Sequence, residues 1–318
     1  MSRELSGYAT GWYLIAGVDE LPAGKVLSMS YFGQKLVAFR GESGELGVLD
    51  AHCPHLGADL GVGGCVKGDS IQCPFHAWRF AADGACVSIP YDRSERPEKS
   101  LMRARTRSWT VRERNGFVFL WYDRAGRAPT YEIPVIAEAG SPEWTPWTLS
   151  LMTIRTQPRE IIENVCDSGH FPAVHGTQLE EFSNEYIDHI AIQRSSGVAY
   201  PVGGGEDRFR LTATYFGPAY QVTEMESFIP NRLINAHVPI DEHTLHLRFA
   251  VMLKRVGDEK KMARYAEGYR KNLEVGFLQD VAIWENKLWR DRPTLCDGDG
   301  SFGALRRWYR QFYTEQPE

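Results

Sequence analysis

Two short loops carry the side chains with the clearest chemistry. Cys53-Pro-His55 is followed by Cys73-Pro-Phe-His76, one C-x-H and one C-x-x-H pattern. Together they supply two thiolates and two imidazoles, the ligand set of a Rieske-type [2Fe–2S] cluster, in which two Cys hold one iron and two His hold the other. Neutral imidazoles make such a cluster less negative than an all-Cys cluster, so its reduction potential lies at about −150 to +300 mV. The pattern predicts a one-electron relay.

A Cys2His2 zinc site is the main alternative for these four residues. Zinc sites usually pair Cys with Cys and His with His along the chain. Here each loop contributes one residue of each type, and both loops contain Pro. Two loops of similar design favour the iron–sulfur cluster over zinc, and over an accidental grouping of buried Cys and surface His.

A second constellation lies between Asn164 and His175. It contains Asp167, His170 and His175, and a non-heme Fe(II) oxygenase site needs two imidazoles and one carboxylate on one face of the metal. Five positions on an unbroken helix would turn the second imidazole about 140° away from the first. We expect Pro172 to interrupt the helix so that the two rings converge. The alternative is a chance H-x4-H spacing of ordinary surface histidines.

The carboxylate of such a site must come from elsewhere in the chain. Residues 260–289 have a helical pattern, whose spacing places Phe277, Asp280, Val281 and Trp284 on one stripe. A carboxylate on an apolar stripe must be neutralised, paired or metal-bound. Asp280 is therefore either the third ligand or an acceptor for a neighbouring helix end, and Asp167 and Glu163 are the fallback ligands.

The stretch from Ala51 to Tyr91 resembles the Rieske non-heme iron oxygenases. Within that family the chain is most similar to the branch of the 3-ketosteroid 9α-hydroxylase oxygenase component and the cholesterol 7-desaturases. Many members that act on aromatic rings carry Arg after the first ligand His, whereas this chain has Leu56. The motifs that carry the resemblance are His55-Leu-Gly-Ala, Leu60-Gly-Val-Gly-Gly, Lys67-Gly-Asp, Cys73-Pro-Phe-His and Cys86-Val-Ser-Ile-Pro-Tyr91.

The resemblance extends to the second constellation. The family's mononuclear-iron pattern is N-x2-D-x2-H-x4-H, and the chain matches it at Asn164, Asp167, His170 and His175. Gln279-Asp280 followed by Ile283-Trp284 is similar to the steroid branch around its iron carboxylate. The resemblance thus implies a mononuclear Fe(II) held by two histidines and Asp280.

The resemblance also assigns supporting roles and an assembly. It implies that His76 of one subunit donates a hydrogen bond to Asp167 of its neighbour in a head-to-tail homotrimer, making Asp167 the bridge for electron transfer. Asp167 would in turn orient His170, as a carboxylate often does for a ligand His. Asn164 is expected to be an outer hydrogen-bond donor, with a surface helix cap as the alternative.

The fold implied by the resemblance is α+β. An all-β Rieske domain is predicted at residues 1–125, and a catalytic domain at 126–318 with an antiparallel sheet flanked by helices, of helix-grip type. Short β-prone runs fill the first part, and Asn115-Gly116 between apolar runs predicts a hairpin. A second turn is predicted at Gly33-Gln34. Residues 123–146 carry four prolines and predict the connection.

Composition excludes several classes of protein. The chain of 318 residues has 24% charged and 43% hydrophobic residues and a net charge of −5, which favours neither nucleic acid nor an anionic membrane as partner. The sequence shows no apolar run long enough to span a bilayer, and its first residues lack an apolar stretch, so we expect no secretory signal. Six cysteines, two of them assigned to iron, do not form a disulfide framework, so we expect a reducing cytoplasm.

These observations together predict the terminal oxygenase of a multicomponent system. Electrons would pass through the [2Fe–2S] cluster to the mononuclear iron, where O2 is used to hydroxylate or desaturate a bulky apolar, steroid-like or sterol-like substrate. The sequence has no nicotinamide-binding or plant-type ferredoxin motif, so a separate NAD(P)H-dependent reductase, with or without a ferredoxin, must supply the electrons. The alternatives are an O- or N-demethylase of a smaller aromatic substrate and a non-catalytic Rieske electron carrier.

Overall fold

The computed structural model describes residues 7–200 and 205–313. The chain divides into two compact units, one formed by Leu14–Tyr122 and the other by the described parts of Met1–Tyr13 and Asp123–Glu318. The first unit is built of strands with one short α-helix, and the second combines one large sheet with helices. That residues 1–125 form the Rieske domain and residues 126–318 the catalytic domain stays a prediction.

Three small sheets make up the first part of the chain. Their strand orders are β1-β10-β9, β2-β3-β4 and β5-β6-β7-β8. The strands are β1 (Gly11–Gly17), β2 (Val26–Tyr31), β3 (Gln34–Arg40), β4 (Leu46–Asp50), β5 (Cys65–Lys67), β6 (Ser70–Gln72), β7 (Arg79–Ala81), β8 (Cys86–Ser88), β9 (Val111–Arg114) and β10 (Phe117–Tyr122), with helix α1 (Pro97–Arg103) after β8.

The two predicted turns differ in outcome. Asn115 and Gly116 have φ values of 55° and 86° between paired strands β9 and β10, so this hairpin is confirmed. The turn predicted at Gly33-Gln34 is wrong by one residue, because Gln34 already pairs with Tyr31 and the turn residues are Phe32 and Gly33. Phe32 adopts φ 56° and stacks its ring on Tyr122 at 4.3 Å, which stabilises an otherwise unfavourable conformation.

One antiparallel sheet of seven strands dominates the second unit. Strands β12 to β17 follow one another as a meander, and β11 pairs with β17 at the far edge. The sheet consists of β11 (Thr148–Ile154), β12 (Gln178–Ile187), β13 (Ile190–Ala199), β14 (Asp207–Phe216), β15 (Tyr220–Glu226), β16 (Asn231–Pro239) and β17 (Leu245–Leu253). The helices are α2 (Pro158–Ile162), continued by a 3-10 turn (Glu163–Val165), α3 (His170–His175), α4 (Glu259–Trp284) and α5 (Phe302–Arg310).

Helix α4 is a single long helix that lies on this sheet. It begins at the cap residue Asp258, whose carboxylate accepts from the Lys261 N–H at 3.0 Å. Near its C-terminus, Trp284 packs with Ile154 and Leu247 of the sheet, and Phe277 lies against the same cluster. A long helix held against an antiparallel sheet confirms the predicted fold class. No helix in the described ranges is long and apolar enough to cross a membrane.

Candidate metal centres

The two predicted cluster loops have the same backbone fold. In the first, the Cys53 N–H donates to the Ala58 carbonyl at 2.8 Å, and the Gly57 N–H donates to the Cys53 carbonyl at 2.9 Å. Gly57 has φ 78°, the left-handed conformation that glycine adopts without strain.

The second loop repeats these bonds at the same offsets. The Cys73 N–H donates to the Trp78 carbonyl at 2.7 Å, and the Ala77 N–H donates to the Cys73 carbonyl at 3.1 Å. Ala77 has φ 57° and replaces the glycine of the first loop. We call residues 53–58 and 73–78 the cluster loops. The backbone closes in the same way in both loops, whereas the His follows the Cys by two residues in the first loop and by three in the second.

The four predicted cluster ligands lie next to one another in pairs. Cys53 and Cys73 are buried in the same core cluster of the first unit. Burial raises the pKa of the Cys53 thiol to about 11, so thiolate formation at this position needs a cation. The rings of His55 and His76 have centroids 4.8 Å apart.

Two features of these side chains fit a [2Fe–2S] cluster. His76 Nδ1 is buried and has no hydrogen-bond partner among the described residues, which leaves it available to a metal. The two imidazoles also lie next to each other, as the two ligands of one iron do in a Rieske cluster.

Two aromatic side chains hold the first ligand histidine. The His55 ring stacks on Trp78 with centroids 4.4 Å apart and planes inclined by 6°. Trp78 Nε1 donates to the Tyr91 hydroxyl at 2.8 Å. The sequence motif contains both aromatic residues, but the contact of Trp78 with His55 depends on how the second loop folds over the first.

The second predicted constellation forms a compact group that we call the three-ligand site. His170 and His175 lie at the two ends of α3, and Asp280 comes from the buried stripe of α4. His175 Nε2 is 3.4 Å from an Asp280 carboxylate oxygen, and the two imidazole centroids are 5.3 Å apart. The structure therefore brings together the three residues predicted as iron ligands.

The predicted role of Pro172 is wrong. Helix α3 is continuous from His170 to His175, and Pro172 is its third residue. Proline is tolerated in the first turn because its missing N–H has no partner within the helix there. The imidazoles lie close together although the helix is unbroken, and Asp280 reaches them from α4.

Glu163 is not part of the three-ligand site. Its carboxylate accepts from Arg306 Nε at 2.6 Å and lies 3.7 Å from Lys287 Nζ. Burial raises the pKa of Glu163, while the two cations oppose that rise. Glu163, one of the two alternative ligands, is therefore held in an ion-pair network.

Asp167 contacts His170 mainly through its backbone. His170 Nδ1 lies 2.6 Å from the Asp167 carbonyl oxygen, whereas the nearer carboxylate oxygen is 3.9 Å away. The other carboxylate oxygen accepts the His170 backbone N–H at 3.2 Å. We expected the carboxylate to orient the ring, but the carbonyl is the closer acceptor. The Asp167 side chain remains about one-third exposed.

His175 has a partner that the sequence reasoning missed. Its Nδ1 lies 3.0 Å from the side-chain oxygen of Gln279, the residue before Asp280 on α4. The motif contains Gln279 next to the candidate ligand, which is the only sequence signal for it. With Nδ1 engaged in this way, Nε2 faces Asp280.

The two histidines differ in their electrostatic surroundings. Burial lowers the pKa of His170, although the Asp167 and Asp280 carboxylates oppose this effect. The hydrogen bond to Asp280 raises the pKa of His175, and the contact with Gln279 adds to it. A metal ion bound at His175 Nε2 would need this imidazole in its neutral form.

The three-ligand site opens into a cavity of about 180 Å³. Apolar side chains of the sheet and of α4 form much of its wall, and Asn164 also lines it. The sheet adds polar groups, including the buried Gln221 and the half-buried Asn235, whose amide nitrogen donates to the Gln221 side-chain oxygen at 2.8 Å. The Asn235 side-chain oxygen is buried without a hydrogen-bond partner in residues 7–200 and 205–313. The predicted outer-shell role of Asn164 stays a prediction.

Gly300, which follows the predicted ligand Asp280 in sequence, packs against the loop that carries Asp167. A Cβ placed on Gly300 would overlap the carbonyl oxygen of Cys166 and approach the Asp167 nitrogen. The segment before α5 therefore packs directly on the backbone next to Asp167, and only glycine permits this approach. Nothing in the local sequence indicates this contact.

Family models match both parts of the chain. The Rieske [2Fe-2S] domain matches residues 11–108, and the 3-ketosteroid 9α-hydroxylase C-terminal domain matches residues 120–313. The first match contains both cluster loops, and the second contains the three-ligand site.

Similar proteins cover nearly the whole chain. A 3-ketosteroid-9-alpha-monooxygenase oxygenase component of Mycolicibacterium smegmatis is 38% identical over 97% of this chain and 83% of its own length. A cholesterol 7-desaturase of Ciona intestinalis is 31% identical over 97% of this chain and 69% of its own. A crystal structure of dicamba monooxygenase bound to dicamba shares the fold, with a TM-score of 0.78 and 20% identity over 96% of this chain and 97% of its own. This protein is an oxidoreductase with a Rieske domain, and it belongs to the 3-ketosteroid 9α-hydroxylase oxygenase family.

Proposed function

We propose that this chain is the terminal oxygenase of a multicomponent Rieske system, with Fe(II) at the three-ligand site and O2 as co-substrate. The observation that carries the proposal is the convergence of His170, His175 and Asp280 at a largely apolar cavity. Two imidazoles and one carboxylate form the donor set of non-heme Fe(II) oxygenases, which leave open positions for O2. A Rieske electron carrier would have no use for this second group of ligands.

The residues of the site have separate tasks. A bound ferrous ion would supply O2 activation, with electrons delivered through a [2Fe–2S] cluster at Cys53, His55, Cys73 and His76. The Asp167 carbonyl holds the His170 ring, and Asp280 supplies the single negative charge among the three ligands. Phe277 and Trp284 shield the site from water on the α4 side.

A steroid-like or sterol-like substrate agrees with the relatives and with the cavity. Relatives are named for activity on 3-ketosteroids and on cholesterol. The apolar wall suits a fused-ring hydrocarbon, and the amides of Gln221 and Asn235 suit one polar substituent. The cavity of about 180 Å³ is below the range of roughly 300–1,000 Å³ of typical ligand pockets. We therefore expect side chains of the wall to move when such a substrate enters.

Electrons would come from a separate NAD(P)H-dependent reductase, with or without a ferredoxin. Relatives are named as oxygenase components, which agrees with a reductase on another chain. The partly exposed Asp167 carboxylate supports its assignment as the bridge to a neighbouring cluster histidine in a homotrimer. The predicted cytoplasmic location has no further support and stays a prediction.

Metal analysis and oxygen uptake test this function together. Anaerobically purified protein should contain three irons and two acid-labile sulfides per chain, and the dithionite-reduced sample should show a Rieske EPR signal. With a reductase present, 3-ketosteroids or sterols should stimulate O2 uptake more than methoxy- or N-methyl-substituted aromatic compounds. The opposite preference would support the demethylase alternative. Two irons after attempted reconstitution would support the electron carrier.

A further inference from the structure

Gln279 stands out because it contacts the three-ligand site and has no assigned role. Its side-chain oxygen is 3.0 Å from His175 Nδ1, on the opposite side of the ring from Nε2. Nε2 faces Asp280 at 3.4 Å. Consecutive residues of α4 therefore contact the two nitrogens of one imidazole.

The chemistry of imidazole assigns the proton in this arrangement. A neutral imidazole has one N–H donor and one acceptor nitrogen, and only the acceptor nitrogen binds a metal. If Nε2 binds the ion beside Asp280, Nδ1 carries the proton. The amide oxygen accepts a hydrogen bond from this N–H, and the bond fixes both the tautomer and the angle of the ring.

We propose that Gln279 is a positioning residue that holds His175 in its metal-binding tautomer, and that its neutral amide keeps the charge of the site to the single carboxylate of Asp280. This inference rests on the proposed iron site. It agrees with the situation at His170, whose Nδ1 also faces a neutral acceptor, the Asp167 carbonyl. Ligand histidines often donate to a carboxylate instead, which makes them more basic.

The placement of Gln279 explains how a largely exposed side chain acts here. Asp280 is buried at 8% exposure, whereas Gln279 lies at the solvent edge of α4. The helix thereby fixes the ligand and the acceptor in one rigid element, and each sits about 100° from the other around the axis. The contact closes the edge of the site between α3 and α4.

The test uses metal affinity, which does not depend on turnover. Mononuclear iron is removed anaerobically with a chelator, and Co²⁺ is titrated back while its visible absorption is followed. Gln279→Leu keeps the size of the side chain but removes the acceptor, and we expect a loss of roughly 10–100-fold in Co²⁺ affinity. Gln279→Glu keeps an acceptor and adds charge, so it should bind Co²⁺ at least as tightly as the wild type.

Leu278→Ala is the matched control, because Leu278 is the exposed neighbour of Gln279 on α4. It should bind Co²⁺ like the wild type. The Rieske EPR signal and absorbance report folding in every variant, and Gln279→Asn, which is too short to reach His175, serves if the Leu variant misfolds. Unchanged affinity in both the Leu and Asn variants would overturn the role of Gln279 alone. A wild-type protein that binds no Co²⁺ or Fe²⁺ would overturn the proposed iron site as well.

Discussion

The cluster loops and the three-ligand site obtain their ligands in different ways. All four cluster ligands lie within residues 53–76, and each loop closes on itself with two backbone hydrogen bonds. The three-ligand site joins two residues of the short helix α3 to one residue of α4, from positions 170 to 280. The first site depends on local backbone geometry, and the second depends on how α4 packs against the sheet.

The difference also appears in the supporting residues. Around the cluster loops, Trp78 stacks on His55 and donates to Tyr91, and all three lie in one short stretch of the chain. Around the three-ligand site, the Asp167 carbonyl is local to His170, whereas Gln279 is 104 positions from His175 and Gly300 packs on the distant Cys166. Sites assembled from distant segments are more sensitive to changes far along the chain, which leads to the following predictions.

Replacing Asp280, the ligand that is distant in sequence, should distinguish the two metal sites most clearly. Asp280→Ala takes away the only carboxylate of the three-ligand site, so we expect loss of the mononuclear iron and of activity. The loss should exceed the roughly 10–100-fold effect of removing a residue that only supports a ligand. Rieske absorbance should persist, because the cluster loops form without α4. Iron per chain measures the effect, with the exposed Asp297→Ala as control. An unchanged iron content would exclude Asp280 as a ligand.

Asp167→Ala should leave both metal centres loaded but uncouple them. The carbonyl that contacts His170 Nδ1 remains in the alanine variant, whereas the carboxylate proposed to bridge subunits is lost. We expect normal iron content and failed oxidation of the prereduced cluster when O2 and substrate are added. Asp167→Asn keeps a side-chain acceptor for the His170 N–H and isolates the effect of charge. Normal turnover of the alanine variant would argue against the bridge.

Gly300→Ala should damage the three-ligand site from a distance. The new methyl group would displace the backbone of Cys166 and Asp167, and with it the carbonyl that holds His170. Overpacking of this kind costs about 1–3 kcal/mol, and we expect weaker metal binding together with a lower unfolding midpoint. Gly298→Ala is the control, because its Cβ would meet only the Cys296 sulfur at 3.9 Å. Equal metal affinity in the two variants would show that the loop has room to relax.

The smallest effects are expected at the left-handed positions of the cluster loops. Gly57→Ala should cost about 1–2 kcal/mol from backbone strain alone, since nothing lies within 4 Å of the new Cβ. Ala77→Gly should relieve similar strain, but the greater flexibility of unfolded glycine cancels about 0.5–1 kcal/mol of that gain. Denaturant unfolding followed by cluster absorbance measures both. If both substitutions changed the free energy of unfolding by the same small amount, the two loops would not be equivalent.

Sequence reasoning is strongest where the information is local. The Asn115-Gly116 turn is confirmed, because it depends on adjacent residues whose backbone preference decides the structure. The ligand pairs of the cluster loops rest on local spacing of the same kind and stay a prediction. The inward stripe of α4 was also predictable, because helical periodicity alone places Asp280 beside Phe277 and Trp284.

Tertiary structure decided the remaining features. Phe32 occupies a left-handed turn position, and its ring stacks on Tyr122, which lies far along the chain in β10. The histidines of α3 converge on Asp280 without any break at Pro172, because α4 supplies the third side of the site. Gln279 contacts His175 and Gly300 packs on Cys166 across long separations in sequence. The amino-acid sequence by itself determined which side chains are available as ligands, whereas packing determined which atoms hold them in place.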